Sequence, residues 1–304
     1  MTTAGPAKAW TTRSLLDWMG GAFQKSGLDS PRLCAELLLA HVLGCDRLRL
    51  YMEADRPATE LELGTLRGLV SRALKHEPVQ YLVGEAWFFS LPFHVDHRVL
   101  IPRPCTETIV EHILQHARAS TGFVAGGHAQ IGDVCTGSGC IAVALLKNLP
   151  HAHAAATDIS ADALSVARDN AQRHHVLDRL NLLQGNLLAP LEGHPAGQQL
   201  HYLVANPPYI PDHEWNDPAM MGANVKGQEP DIALRGGADG LDAVGPIVDH
   251  GHERLRQGGL LLVEIAASTA DAVLARARAN SALADTRIVN DLEGLPRVLI
   301  ASRV

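Results

Sequence analysis

Gln130-Ile131-Gly132-Asp133-Val134-Cys135-Thr136-Gly137-Ser138-Gly139-Cys140 runs directly into Ile141-Ala142-Val143-Ala144-Leu145-Leu146, and the fold turns on this stretch. It predicts an apolar strand, a tight glycine turn and an apolar helix. Gly137 and Gly139 lack a β-carbon, so the backbone can take positive φ and a ligand can come close to the first turn of the helix. Nineteen residues after Gly139, the run Ala154-Ala155-Ala156-Thr157-Asp158 ends a second short strand in an acid. An acid there is placed to hold the hydroxyl pair of a ribose. Taken alone, Gly137-Ser138-Gly139-Cys140-Ile141-Ala142 also satisfies the G-x-G-x-x-G/A dinucleotide fingerprint, so a nicotinamide dehydrogenase is a rival reading.

Further along, Leu200-His201-Tyr202-Leu203-Val204-Ala205 leads into Asn206-Pro207-Pro208-Tyr209. Two consecutive prolines fix two φ angles and remove two amide donors, leaving a stiff backbone whose carbonyls are free to accept. The Asn206 side-chain oxygen and the Pro207 carbonyl can accept from one NH2 group, while Tyr209 offers an aromatic face to a flat amide or base. A strand end capped by a Pro-Pro turn is the bland alternative. The order of the pieces separates the two. Asp133, the glycine turn, Asp158 and the Asn206 tetrapeptide fall at the ends of successive strands, which in an open parallel α/β sheet border one crevice. A dehydrogenase would still need an acid or base for hydride transfer. The order resembles the class I S-adenosylmethionine-dependent methyltransferases, and the Asn-Pro-Pro-Tyr form resembles the subset that methylates planar nitrogens.

Composition sets outer bounds. A chain of 304 residues with 46% hydrophobic content can build one large or two modest cores. No apolar run approaches the roughly 20 residues needed to span a bilayer, and the opening Met1-Thr2-Thr3-Ala4-Gly5-Pro6 lacks a charged segment followed by an apolar one, so a cytoplasmic location is expected. Cys34, Cys45, Cys105, Cys135 and Cys140 form no C-x-x-C pair, which points to buried thiols rather than a disulfide framework or zinc site. The 16 histidines are scattered without metal-ligand spacing, and no metal is expected. The formal charge of -7 argues against bare nucleic acid as a direct partner.

Two domains can be drawn. Up to residue 76 the chain reads as a small helical bundle: Leu15, Leu16, Trp18, Met19 and Phe23 supply one apolar face. Ser30 and Pro31 open a second helix through Leu33, Leu37, Leu38, Val42 and Leu43, which Gly44 ends. A third runs from Leu61 to Leu74. The acid-rich Glu53-Ala54-Asp55 reads as a solvated loop. Residues 77–104, with alternation from Glu77 to Phe89 and Pro102 and Pro104 at the exit, predict a stiff β-hairpin bridge. Residues 105–304 hold the sheet. Within the bridge, Leu-Ile-Pro-Arg-Pro-x-Thr-Glu at residues 100–107, together with Tyr81-Leu82-Val83-Gly84, resembles the HemK/PrmC family. Gln228-Glu229-Pro230, Gly236-Gly237-Ala238-Asp239-Gly240-Leu241 and the ending Asp291-Leu292-Glu293-Gly294-Leu295-Pro296-Arg297-Val298 extend the match over nearly the whole chain.

The resemblance implies a Rossmann-like methyltransferase sheet with a helical N-terminal substrate-docking bundle. It implies methyl transfer from S-adenosyl-L-methionine to the side-chain amide of the glutamine in the Gly-Gly-Gln motif of peptide-chain release factors, by a monomer. On this basis Asn206 orients the amide, Pro207 accepts through its backbone, Tyr209 packs on the amide plane and Pro208 completes the clamp. Cys135, Thr136, Gly137, Ser138 and Gly139 border the cofactor, Asp158 its ribose, Asn186 and Leu187 its adenine, and Asn206 touches both cofactor and substrate. Arg103 and Glu107 are candidate substrate contacts, or an ion pair that locks the bridge. Three positions depart from the family pattern: Cys135 replaces the first loop glycine, Asn186 an acid, and Ala266 the glycine after Glu264-Ile265. Glutamine of a ribosomal protein and the exocyclic amine of a nucleic acid are the alternative acceptors, and a non-catalytic nucleotide-binding module is the remaining rival.

Overall fold

Helix starts in the first part of the chain are written in its caps. The computed structural model describes residues 9–119, 128–217, 219–222 and 224–304, so the expectation built on Met1 to Pro6 lies outside the described residues. Contacts divide the chain into Met1–Gly84 with Ala223–Gln228, and Glu85–Gly222 with Glu229–Val304. Against the expected boundaries at 76 and 104, the break falls after Gly84, and the hairpin groups with the sheet.

In the first unit, α1 (Thr12–Lys25) begins with a capping box in which Thr11 and Ser14 satisfy each other's amides. It buries Leu15, Leu16, Met19 and Phe23, whereas Trp18, expected on that face, is 50% exposed and stacks edge-on with Trp10. Helix α2 (Pro31–Leu43) ends at Gly44 in the left-handed region, as the glycine predicts. Ser30 makes no side-chain cap. Its φ of 49° is left-handed, not the extended conformation from which a cap hydroxyl reaches the first amides. A short helix the sequence reading missed, α3 (Arg47–Met52), is capped by Asp46, whose carboxylate accepts from the Arg49 amide at 2.9 Å. Glu53, read as part of a solvated loop, pairs with Arg49. Helix α4 (Glu60–Ala73) carries a second capping box from Thr59 and Glu62. The stretch read as the first arm of the hairpin starts instead with α5 (Val79–Val83), closed by Gly84 at φ 72°. Alternation failed there because a five-residue helix packs only Val79 and Leu82 inward.

The second unit opens with β1 (Glu85–Phe88) and β2 (Leu91–His94), an antiparallel hairpin. Phe89 and Ser90 between them have φ of 49° and 61°. Both turn residues are therefore left-handed, matching the twist of a two-residue hairpin turn without using glycine. Helix α6 (Glu107–Ala119) precedes a seven-stranded sheet of β3 (Gln130–Val134), β4 (His153–Asp158), β5 (Leu180–Gln184), β6 (Leu200–Ala205), β7 (Leu255–Glu264), β8 (Leu283–Asn290) and β9 (Pro296–Arg303). Its order is β5-β4-β3-β6-β7-β9-β8, parallel except at β9, which runs antiparallel to both neighbours. Burial on both faces explains why the central strands read as unbroken apolar runs. One face packs on α6 and α7 (Cys140–Asn148), through Ile109, Ile113, Ile141 and Leu145. The other packs on α10 (Val244–His250) and α11 (Ala270–Ala279), through Val244, Ile247 and Val273. Helix α8 (Ala161–Arg173) links β4 to β5, and α9 (Asp212–Trp215) follows β6. The order reverses at β3, so a crevice opens at the carboxyl ends of β3, β4 and β6. No helix among the described residues is long and apolar enough to cross a membrane.

Candidate active site

The glycine turn is held from below and from beside. Asp133 is fully buried at the end of β3, and its Oδ2 accepts from the Thr136 hydroxyl at 2.6 Å and the Ala142 amide at 3.2 Å. Gly139 caps α7 at φ 80°, and a β-carbon there would stand 3.1 Å from the Ala167 side chain, so glycine lets α7 start tight against α8. Gly137, at φ 54°, has open space where its β-carbon would be, and its amide donates to Asp158 Oδ2 at 2.9 Å. Cys135 takes φ of 60°. A family glycine is thus replaced by a residue that pays about 1–2 kcal/mol for the left-handed region.

Burial pushes the Asp133 carboxyl up to about 7, against the two hydrogen bonds, and leaves its Oδ1 without a partner. With the folded-state value above the unfolded one, the unfolded chain gives up its proton first. Stability is therefore greatest below pH 4 as far as this group is concerned, and declines as pH rises to about 7. We expect Asp133→Asn to flatten that decline, worth about 3–4 kcal/mol between the two limits. Unfolding free energies at pH 5 and pH 8 measure it; parallel pH curves for both proteins would refute it.

A cavity of about 420 Å³ occupies the crevice. Cys135, Thr136, Gly137, Ser138 and Asp158 line it, as do Asn186, Leu187, Asn206 and Pro208. These come from four strand ends, and the loop after β5 is drawn in by the Thr157 hydroxyl, which donates to the Leu187 carbonyl at 2.9 Å. Asp158 accepts from the Gly137 and Ser160 amides, both at 2.9 Å, and burial moves its carboxyl upward while those amides oppose the shift. An ionised carboxylate has about four acceptor positions, so it retains capacity for two hydroxyls.

At the other end of the cavity, Asn206 Nδ2 donates to Thr106 Oγ1 at 3.1 Å, which leaves Oδ1 as the acceptor. Pro207 is buried and, with Tyr209 and Gly139, is not among the lining residues. The Tyr209 hydroxyl donates to Glu264 Oε1 at 2.8 Å, and burial raises that phenol well above its ordinary value, keeping it a neutral donor. Tyr209 is half-buried, and its hydroxyl ties the turn to Glu264 at the end of β7. Arg103 and Glu107 do not pair with each other. Arg103 bonds to the buried Glu229, whose other oxygen accepts from the Ile101 amide at 3.0 Å. Glu107 accepts from the Phe89 amide at 2.7 Å. Neither lines the cavity.

Sequence reasoning missed Thr106, Pro102 and Pro230 as lining residues, although all three stand inside quoted motifs. It also missed Ile159 and Ile232, exposed apolar side chains on that lining. Among the described residues no cluster of His, Cys, Asp and Glu could hold a metal ion.

A doubly wound sheet with an acid after its second strand and an Asn-Pro-Pro-Tyr turn after its fourth defines a class I methyltransferase. The fold matches the METTL16 methyltransferase domain with a TM-score of 0.51 at 15% identity, covering 71% of this chain and 74% of that one. Residues 14–84 match the family model of the PrmC N-terminal domain, and residues 106–222 that of the methyltransferase small domain. The release factor glutamine methyltransferase of Chlorobaculum tepidum is 41% identical, covering 96% of this chain and 97% of that protein. Its namesake in Geobacter sulfurreducens is 40% identical, over 95% and 96%. The chain belongs to the release factor glutamine methyltransferase family.

Proposed function

We propose that the protein transfers a methyl group from S-adenosyl-L-methionine to the side-chain amide nitrogen of the glutamine in the Gly-Gly-Gln motif of release factors. Family membership supports the activity, and one observation ties it to this site: Asn206 lines the cavity with its amide nitrogen already committed to Thr106. The residues present fit the cofactor. Gly137 leaves room for close approach, Asp158 has acceptors for the ribose hydroxyls, and Asn186 and Leu187 border the position assigned to adenine.

When bound, the cofactor supplies an electrophilic methyl on a sulfonium. The chain's own residues must make a poor nucleophile competent, because the lone pair of an amide nitrogen is delocalised into its carbonyl. Asn206 Oδ1 and the Pro207 carbonyl accept the N–H bonds, which orients the nitrogen and stabilises positive charge as it develops. Glu264 holds Tyr209, and Tyr209 holds the Pro-Pro turn behind them. The helical unit of residues 1–76 is assigned to substrate docking, the hairpin segment 77–104 to the link, and residues 105–304 to chemistry. The same reading makes the enzyme a cytoplasmic monomer without direct nucleic-acid contact, supported by its charge of -7 and by translation termination as its setting.

Methyl transfer from labelled cofactor to a purified release factor tests this, beside the same factor with Gln→Ala in its Gly-Gly-Gln motif and beside duplex DNA. Label on the intact factor alone is the expected result; label on DNA, or on the Gln→Ala factor equally, would overturn the substrate. Asp158→Ala is expected to weaken cofactor binding about 10–100-fold, the loss of one or two hydrogen bonds to a charged acceptor. Calorimetric titration reads this directly, and unchanged affinity would remove Asp158 from the ribose.

A further inference from the structure

A second hollow adjoins the clamp. Pro208 lines both the cavity and an open groove of about 550 Å³ that takes in Asp212, Ile232, Arg235, Gly237 and Asp242. Pro208, Ile232, Arg235 and Asp242 border both spaces and form the sill between them. Arg235 is the cation of that sill, and its backbone is fixed to the clamp. It makes a parallel bridge with Ile210, the residue after the tetrapeptide: the Ile210 amide donates to the Leu234 carbonyl and the Gly236 amide to the Ile210 carbonyl, both at 2.9 Å. Gly240, at φ 79°, permits the close fit, since a β-carbon there would stand 2.6 Å from the Tyr209 carbonyl oxygen. The glycine-rich motif at residues 236–241 thus straps Arg235 beside the clamp. At its far end the guanidinium donates from Nη2 to Asp212 Oδ1 at 2.9 Å and lies 5.8 Å from the centre of the buried Trp215 ring. A guanidinium carries five N–H donors in a flat fork. Among the described residues Asp212 takes one of them, and the side chain stays 45% exposed, so the fork keeps donors for a ligand.

We propose that Arg235 is a specificity-determining residue: its guanidinium donates to main-chain carbonyls of the two glycines before the substrate glutamine, as that segment lies in the groove beside Pro208. The inference rests on the reading of Asn206 given above. Only two methylene groups join a glutamine's amide to its main chain, so an amide held at Asn206 keeps the substrate backbone close to the clamp, and the groove is the open space there. Peptide carbonyls are acceptors and the guanidinium fork is purely a donor, so the two match. Glycine has no β-carbon to hold a peptide off a flat guanidinium. Arg235 therefore reads the Gly-Gly pair as bare backbone, while Asn206 reads the amide.

The test measures release-factor methylation kinetics, cofactor affinity and thermal melting for the full chain carrying Arg235→Ala or Arg235→Lys. Arg235→Ala is expected to raise the KM for release factor about 10–100-fold, the loss of one or two hydrogen bonds from a charged donor, with kcat and cofactor affinity within about threefold. Its melting temperature should stay within about 4 °C, because a partly exposed ion pair contributes little to stability. Arg235→Lys keeps the charge without the fork and should recover only part of the loss. A release factor with Ala in place of the glycine next to the glutamine completes a double-mutant cycle. The added methyl should cost the unmodified enzyme about tenfold in kcat/KM and cost Arg235→Ala much less, since the guanidinium it meets is gone. Losses that multiply, or an unchanged KM in Arg235→Ala, would overturn the assignment. So would a fall in cofactor affinity with KM unchanged, which would give Arg235 to the cofactor instead. If the unmodified enzyme labels no release factor, the reading of the substrate fails as well; if it labels the factor and Arg235→Ala matches it, the groove contact alone fails.

Discussion

Asn206→Ala is expected to lower kcat for release-factor methylation about a thousandfold while cofactor affinity stays within a few-fold. The side chain's amide nitrogen is bound to Thr106 at 3.1 Å, so its removal takes away the one side-chain oxygen assigned to the substrate amine. Nothing nearby replaces it: Pro207 can offer only its carbonyl, and the Tyr209 hydroxyl is committed to Glu264. An amide nitrogen needs that acceptor most when positive charge grows on it, so the loss falls on kcat more than on KM. The glycine turn and Asp158, which carry the cofactor assignment, make no contact through Asn206. Single-turnover methylation alongside cofactor titration measures both quantities. Cofactor affinity falling in parallel with turnover would show that Asn206 serves the cofactor and would move the amide clamp elsewhere.

Arg103→Ala is expected to destabilise the protein by about 3–5 kcal/mol, because it strands a buried carboxylate. Glu229 is 1% exposed on its side chain and depends on Arg103 and the Ile101 amide. Once the guanidinium goes, one amide remains to satisfy the charge. Pro230, the next residue, lines the cavity. Loosening Glu229 therefore weakens cofactor binding as well as the fold, through an arginine that does not line the site. The melting temperature should fall by roughly 10 °C, at about 2–4 °C per kcal/mol for a unit of this size. Adding Glu229→Gln should restore much of the loss, since a neutral amide can be buried at lower cost. An unchanged melting temperature in Arg103→Ala, with normal cofactor affinity, would return Arg103 to the list of substrate contacts.

Both results concern residues whose importance the sequence registers unequally. The motif at residues 100–107 singles out Arg103 and Glu107, yet their partners, Glu229 and the Phe89 amide, lie elsewhere in the chain. Ser30 and the segment 79–83 show the opposite limit. Residue type favoured a cap and a strand, but backbone conformation gave a left-handed serine and a short helix. Cys135 belongs with them: identity shows a missing glycine, and only the φ of 60° shows what the glycine avoids.

The sequence by itself determined the strand, glycine turn and helix, the acid that ends β4, and the Asn-Pro-Pro-Tyr turn, because their meaning rests on local properties. Absent β-carbons, fixed φ angles, missing amide donors and apolar runs are legible residue by residue. Only the tertiary structure decided which way the Asn206 amide points, that the Tyr209 hydroxyl bonds to Glu264, and that Arg103 serves Glu229. Those facts depend on hydrogen bonds between groups 100, 55 and 126 residues apart, made neighbours by a sheet that gathers distant strand ends into one crevice. The direction of a hydrogen bond leaves no periodic trace in a chain, so it emerges only when donor and acceptor are brought together.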